Sequence, residues 1–209
     1  MTFKAALFDL DGVLIDTEAL YDLFWGDIAR EYLPDHPEMV RAIKGTTLVD
    51  TFSTWFSGDR EQLRPEIVRR LDAFEAQMPL LPVKGARAYV AALKAQGVPI
   101  AVVTSSNRAK MSNVYRQYPH FTETFDAILT SEDFKASKPD PDCYLKAAAR
   151  LGFLPEECIV FEDSVKGLQA ARSAGTKVVG LATTVPMDTI RPLSDWQFDD
   201  FTGIPRAGL

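Results

Sequence analysis

Ala5-Ala6-Leu7-Phe8-Asp9-Leu10-Asp11-Gly12 is the stretch on which the fold turns. A continuous apolar run of four residues, ended by one aspartate and a second two residues on, reads as a strand buried on both faces, as in a parallel sheet. Comparable runs recur at 100–103, 127–129, 159–161 and 178–179. Between them lie helical patterns at about 86–96, 143–151 and 165–174, each followed by a glycine (Gly97, Gly152, Gly175) that can end a helix in the left-handed conformation. Strand and helix in alternation predict an α/β fold with a Rossmann-like, doubly wound parallel sheet.

Residues 17–81 break that rhythm. Leu20, Phe24 and Ile28 fall on one helical face, as do Ile67, Leu71 and Phe74, with a turn signal at Ser57-Gly58-Asp59 and prolines 79 and 82 at the return. This predicts an all-helical cap at 17–81 inserted into a core domain made of 1–16 and 82–209. No internal repeat is evident, and the pattern beyond about residue 186 assigns nothing.

Composition narrows the function classes. The chain has 209 residues, 46% of them apolar, enough for one core with a modest insertion. A net charge of -6 argues against nucleic acid or a membrane surface as partner, both being polyanionic. No apolar run approaches the ~18–20 residues of a membrane span, and Met1-Thr2-Phe3-Lys4 lacks the build of a signal peptide. Cys143 and Cys158 are far apart and read as packed small hydrophobes, consistent with a reduced, cytoplasmic setting. His36 and His120 lie beside prolines in expected loops and receive no role. No heptad is visible, so a monomer is expected.

In open parallel sheets, ligands bind outside the carboxyl ends of the strands. The residues following the apolar runs are Asp9 and Asp11; Thr104, Ser105, Ser106 and Asn107; and Glu162 and Asp163. Four acidic groups brought together repel one another unless a hard cation joins them, and oxygen ligands of this kind suit Mg²⁺. Carboxylates around Mg²⁺ call for an anionic substrate oxygen, with phosphate the natural candidate. Lys138, flanked by Pro139, supplies a positive point charge. Ser105, Ser106 and Asn107 read equally as phosphate donors and as caps of the following helix. Asp16 or Thr17 is placed to cap the first cap helix, with Glu18 at its positive end. Gly12 is expected where a side chain would collide with the cap linker.

These residues carry a resemblance. Phe8-Asp9-Leu10-Asp11-Gly12-Val13-Leu14, Val102-Val103-Thr104, Lys138-Pro139 and Phe161-Glu162-Asp163-Ser164 resemble, in order and spacing, the four motifs of the haloacid dehalogenase superfamily. The helical insertion after the first motif resembles the cap of its β-phosphoglucomutase-like branch. The resemblance, which runs from about residue 4 to 181, implies that Asp9 is the nucleophile and forms an aspartyl-phosphate. It makes Asp11 the general acid and base, and distinguishes the chain from the dehalogenases, which lack that second aspartate. It implies phosphate contacts from Thr104, Ser105 and Lys138, and Mg²⁺ held by Asp9, the Asp11 carbonyl, Asp163 and, through water, Glu162.

Substrate choice is expected in the cap. Lys44-Gly45 resembles the Lys-Gly pair of the mutase cap loop, and Lys44, Asn107 and Glu18 are candidate substrate contacts. Two positions depart from the mutase: Leu48 stands where it has an arginine for a distal phosphate, and Tyr21 where it has a histidine. The expectation is a Mg²⁺-dependent phosphatase acting on a small phosphorylated metabolite such as a sugar phosphate, with a hexose phosphomutase as the alternative.

Overall fold

The computed structural model describes residues 3–205. The opening apolar run is strand β1 (Ala5–Phe8), buried at every residue. A tight turn leads to β2 (Ile15–Asp16), after which come helices α1 (Glu18–Tyr32), α2 (Met39–Ala42), α3 (Leu48–Trp55) and α4 (Arg64–Gln77), with the return through β3 (Leu81–Pro82). Strand and helix then alternate: α5 (Ala86–Ala95), β4 (Ile100–Val103), α6 (Arg108–Gln117), α7 (Phe121–Thr124), β5 (Ala127–Leu129), α8 (Asp142–Leu151), β6 (Cys158–Glu162), α9 (Val165–Ser173), β7 (Lys177–Leu181), α10 (Met187–Ile190) and β8 (Trp196–Phe198).

Six strands form one sheet in the order β5-β4-β1-β6-β7-β8, and every pairing is parallel. The chain builds outward from β1 through β4 to β5, then crosses back to lay β6 on the other side of β1. The strand order therefore reverses at β1, and the crevice at its carboxyl end is the place where such sheets bind ligands.

Successive residues of β1 supply opposite faces. Ala6 and Phe8 pack with Val90 and Leu93 of α5 and with Met111 and Val114 of α6. Ala5 and Leu7 pack with Ala147 of α8 and Leu168 of α9. Both faces are covered, which is why the run had to be continuously apolar. Phe8 stacks on Phe161, its register partner in β6, at 4.7 Å between centroids. Full burial of a phenylalanine contributes about 1.5–3 kcal/mol, and here it holds the two strands that carry the acidic residues.

The segment between β2 and β3 is helical throughout its regular structure, with its own hydrophobic cluster of Phe24, Ile28, Met39, Phe56, Ile67 and Leu71. Leu20 departs from the expected face and packs against the sheet-side cluster instead. Ser57-Gly58-Asp59 begins a 3-10 turn, Gly58–Leu63. Four contacts dock the helical segment over the sheet edge: Lys166 Nζ donates to the Ala42 carbonyl (3.0 Å), Ser105 Oγ to the Gly45 carbonyl (3.3 Å) and Arg116 to the Ala76 carbonyl (2.8 Å), while Ser137 Oγ meets Thr47 Oγ1 (3.2 Å).

Three strands lie outside the sequence reading. β2 and β3 pair antiparallel over two residues each, too short to show a period. β8, in the tail, is a half-buried edge strand of three residues that pairs with β7. No helix among the described residues is long and apolar enough to cross a membrane.

Candidate active site

Three parallel strands end side by side, and their last residues meet. Asp9 follows β1, its backbone N–H donating to the Phe161 carbonyl of β6 at 3.0 Å. Thr104 follows β4, its N–H donating to Leu129 of β5. Glu162 closes β6 and Asp163 follows it. Asp9, Thr104 and Asp163 line one cleft, and Lys138 joins them through Asp9 and Glu162.

Lys138 is the hub. Its ammonium, almost fully buried, donates to Asp9 Oδ1 (2.8 Å), Glu162 Oε1 (2.5 Å) and the Val103 carbonyl (3.4 Å), and stands 5.2 Å from the centre of the Tyr144 ring. Burial works against its charge, but Asp9 and Glu162 hold it well above the ordinary lysine range. Glu162, wholly buried, is fully satisfied. Oε1 also accepts from Tyr144 Oη (2.8 Å), and Oε2 accepts from the backbone N–H groups of Asp163 and Ser164 and from Ser164 Oγ. Burial alone would raise Glu162; Lys138 and these donors bring it below the usual carboxylate value.

The other two carboxylates are left short of positive charge. Burial, opposed by Lys138 and reinforced by Glu162, pushes Asp9 up to about 7. Burial, then Glu162 and Asp9, push Asp163 well above its ordinary value, opposed by the Thr184 hydroxyl that donates to it. Asp9, Glu162 and Asp163 offer carboxylate oxygens within 4.8 Å of one another. Three buried carboxylates, two of them paired with Lys138 and the third with no cation partner among the described residues, form an all-oxygen donor set with an unmet charge, which fits a hard divalent cation such as Mg²⁺.

Asp11 lies at the same edge under different control. Lys110 Nζ, on α6, reaches both its carboxylate oxygens at 2.5 Å, Thr17 Oγ1 donates to Oδ1 (2.5 Å) and Ser106 Oγ to Oδ2 (2.9 Å). Burial would raise Asp11, yet the Lys110 ion pair, with the two hydroxyls, holds it below the usual carboxylate range. Lys110 was not anticipated. A signal was present: it stands in the first turn of α6, three residues after its N-cap, where the helix dipole disfavours a cation unless an acid faces it.

Several expectations change in detail. Thr17 precedes α1, but its hydroxyl makes no capping bond and serves Asp11 instead. Asn107 is the cap of α6, accepting from the Lys110 N–H (2.9 Å). Thr104 Oγ1 accepts from the Ser106 N–H (3.0 Å). Gly12 has φ +73, and a Cβ there would overlap the Asp163 carboxylate and the Thr184 side chain, not the cap linker. Lys44 is held between Glu18 (3.0 Å) and Asp22 (2.9 Å). Both cysteines are buried, and burial pushes the thiols up, Cys143 to about 12 and Cys158 to about 11, so neither is poised as a nucleophile. His36 and His120 lie outside the site, each beside a glutamate of its own segment.

A cleft of about 810 Å³ joins these groups to the helical segment. Its floor includes Asp9, Asp11, Thr104 and Asp163, and its far wall Trp25, Lys44, Leu71 and Glu75.

Residues 3–175 match the haloacid dehalogenase-like hydrolase family. Hexitol phosphatase A of Escherichia coli (strain K12) is 32% identical over 91% of this chain and 88% of its own length. The bifunctional riboflavin kinase/FMN phosphatase of Arabidopsis thaliana is 33% identical over 85% of this chain, which spans only about half, 48%, of that longer protein. Among solved structures, a HAD hydrolase, family IA, variant 3, from Entamoeba histolytica superposes with a TM-score of 0.82 at 25% identity, covering 97% of this chain and 96% of that one. With four motifs converging on one sheet edge and helices inserted directly after the first, the chain, which is also similar to the β-phosphoglucomutase of Bacillus subtilis (29% identical over 88% of this chain and 85% of that one), belongs to the haloacid dehalogenase-like hydrolases and is a phosphoric monoester hydrolase.

Proposed function

We propose that this chain is a Mg²⁺-dependent phosphatase that hydrolyses a small phosphate monoester, such as a sugar phosphate, through an aspartyl-phosphate on Asp9, with residues 17–81 as a cap over a core of 1–16 and 82–209. The observation that carries the reading is the Asp9 carboxylate at the floor of the cleft, paired with buried Lys138 and flanked by Glu162 and Asp163. The names of the hexitol and FMN phosphatases support the substrate class.

In this mechanism one Asp9 oxygen attacks phosphorus and the bond to the ester oxygen breaks, splitting a hard step in two. Asp11, which must first take up a proton against the Lys110 pair that favours its ionised form, gives that proton to the departing alkoxide. Water then attacks the phosphoryl group, Asp11 accepts its proton, and the Asp9–phosphorus bond breaks to release inorganic phosphate. Lys138 balances charge on Asp9 and on the transferring group, and Thr104 and Ser105, both lining the cleft, would donate hydrogen bonds to phosphate oxygens, Ser105 by giving up the Gly45 carbonyl. Asp9, Asp163 and the Asp11 carbonyl would hold Mg²⁺, with Glu162 behind them. When bound, the ion neutralises phosphate charge and fixes its orientation.

Hydrolysis is favoured over isomerisation because Leu48 and Tyr21, both lining the cleft, stand where the mutase resemblance calls for arginine and histidine. The test is a panel of phosphorylated metabolites assayed with and without Mg²⁺, comparing the native chain with Asp9→Asn. The native chain should release phosphate only with Mg²⁺. The variant, near-isosteric and folded by circular dichroism, should lose turnover at least about a thousandfold. Turnover surviving in Asp9→Asn would exclude the covalent route.

A further inference from the structure

The cleft wall opposite Asp9 has an unusual charge balance for a site that accepts anions. The helical segment contributes four carboxylates to it, Glu18, Asp22, Asp50 and Glu75. Among the described residues it contributes one cation, Lys44, and no arginine lines the cleft at all. That lysine is not free: its ammonium lies 3.0 Å from Glu18 Oε2 and 2.9 Å from Asp22 Oδ1, with Lys44 and Glu18 side chains both largely covered. On the sheet side, Lys110 is engaged by both Asp11 oxygens, and Lys135 is exposed at the rim, its backbone N–H donating to Asp142. Between the acids lie apolar surfaces from Trp25, Ile43, Leu48, Phe52 and Leu71.

We propose that the cleft selects monophosphates whose leaving group is an uncharged polyhydroxyl compound, and that Glu18 and Asp22 enforce this by neutralising Lys44, the cation that would otherwise hold a second anionic group. The proposal rests on the phosphatase reading and deepens it. A second phosphate or a carboxylate entering the cap wall meets four carboxylates and a lysine already paired, so rejection comes from repulsion as well as from missing contacts. A polyol meets what it needs. Carboxylate oxygens accept from its hydroxyls, the paired ammonium donates through its third hydrogen, and apolar side chains cover its C–H surface.

The experiment measures kcat/KM with Mg²⁺ for a hexitol 6-phosphate, fructose 1,6-bisphosphate, phosphoglycolate and p-nitrophenyl phosphate. The hexitol phosphate should exceed the bisphosphate and phosphoglycolate by at least about tenfold. Asp22→Asn and Glu18→Gln, by releasing Lys44, should each raise the bisphosphate-to-hexitol ratio about three- to tenfold. Adding Lys44→Met to Asp22→Asn should abolish that gain. The ratio is internal to each variant, so a general loss of activity does not mimic it. Equal or better use of either anionic substrate by the native chain, or a ratio unmoved in both single variants, overturns the proposal while leaving the phosphatase reading intact. Absence of phosphate release from all four esters overturns the phosphatase reading itself.

Discussion

Lys110 and Lys138 are both nine-tenths or more buried, and each is held by a carboxylate of the same loop, Asp11 and Asp9 respectively. A buried ammonium is stable only when paired, so each lysine fixes its aspartate as firmly as the aspartate fixes it. The two pairs differ in what the aspartate must do. Asp9 has to keep an oxygen free for phosphorus, and Lys138 touches only its Oδ1. Asp11 has to present a proton to the leaving group, and Lys110, Thr17 and Ser106 together determine where its two oxygens point. Lys110 is therefore read as a positioning residue for the acid. Lys110→Met should lower kcat/KM for an alkyl phosphate, a poor leaving group, by about 10²-fold, the lower end of what general acid catalysis contributes. For p-nitrophenyl phosphate, whose leaving group needs no proton, the loss should stay within a few fold. Equal losses on both substrates would make Lys110 a packing residue only.

At the scale of elements, the junction of β6 and α9 concentrates the most demanding packing in the site. Ser164 caps α9, its Oγ accepting from the Gly167 N–H (3.1 Å), while Glu162 accepts from the two N–H groups that precede the helix. Gly167 lies directly over Glu162, and a Cβ there would fall well inside contact distance of the carboxylate. Glu162 cannot move aside without giving up Lys138 and Tyr144. Alanine normally gains about 1 kcal/mol over glycine in a helix. Here Gly167→Ala should instead cost about 1–3 kcal/mol through overpacking, seen as a lower denaturation midpoint, and should lower kcat by loosening Lys138. An unchanged midpoint would show that the carboxylate has room. This junction also shows what a sequence can display. The acids after β6 were legible because an apolar run that stops at carboxylates has few other meanings. So was the doubly wound sheet, because buried parallel strands must be continuously apolar. Gly167 was not legible, since its constraint comes from a side chain five residues back that folds over it. Lys110 and Tyr144 reach the site from helices whose apolar periodicity says nothing about one polar tip. β2, β3 and β8 are too short or too exposed to carry a pattern.

Across the whole molecule the question is how a chain of net charge -6 tolerates Asp9, Glu162 and Asp163 buried together. One ammonium, on Lys138, serves Asp9 and Glu162, and neither it nor any other described lysine or arginine pairs with Asp163. Without a further cation the folded state relieves the excess by holding protons: Asp9 is raised to about 7 and Asp163 is raised well above its ordinary value. An unfolded aspartate releases its proton near pH 3.9. The raised folded value therefore contributes stability that is fully present below about pH 4 and is lost as pH rises through about 7. Divalent ions compete with those protons, so the stabilisation they give must grow over the same range. In metal-free protein Tm should fall between pH 6 and pH 8. Added Mg²⁺ should raise Tm more at pH 8 than at pH 6, approaching about 2.7 kcal/mol at a hundredfold excess over Kd. Asp9→Asn removes one carboxylate of the set, so the metal-free variant should lose less stability between the two pH values and respond less to Mg²⁺. Calorimetry or thermal melts with EDTA, Mg²⁺ and a monovalent salt control measure all three without any turnover. A Mg²⁺ shift of equal size at pH 6 and pH 8, or one matched by the monovalent salt, would mean that the three carboxylates are accommodated by the fold alone.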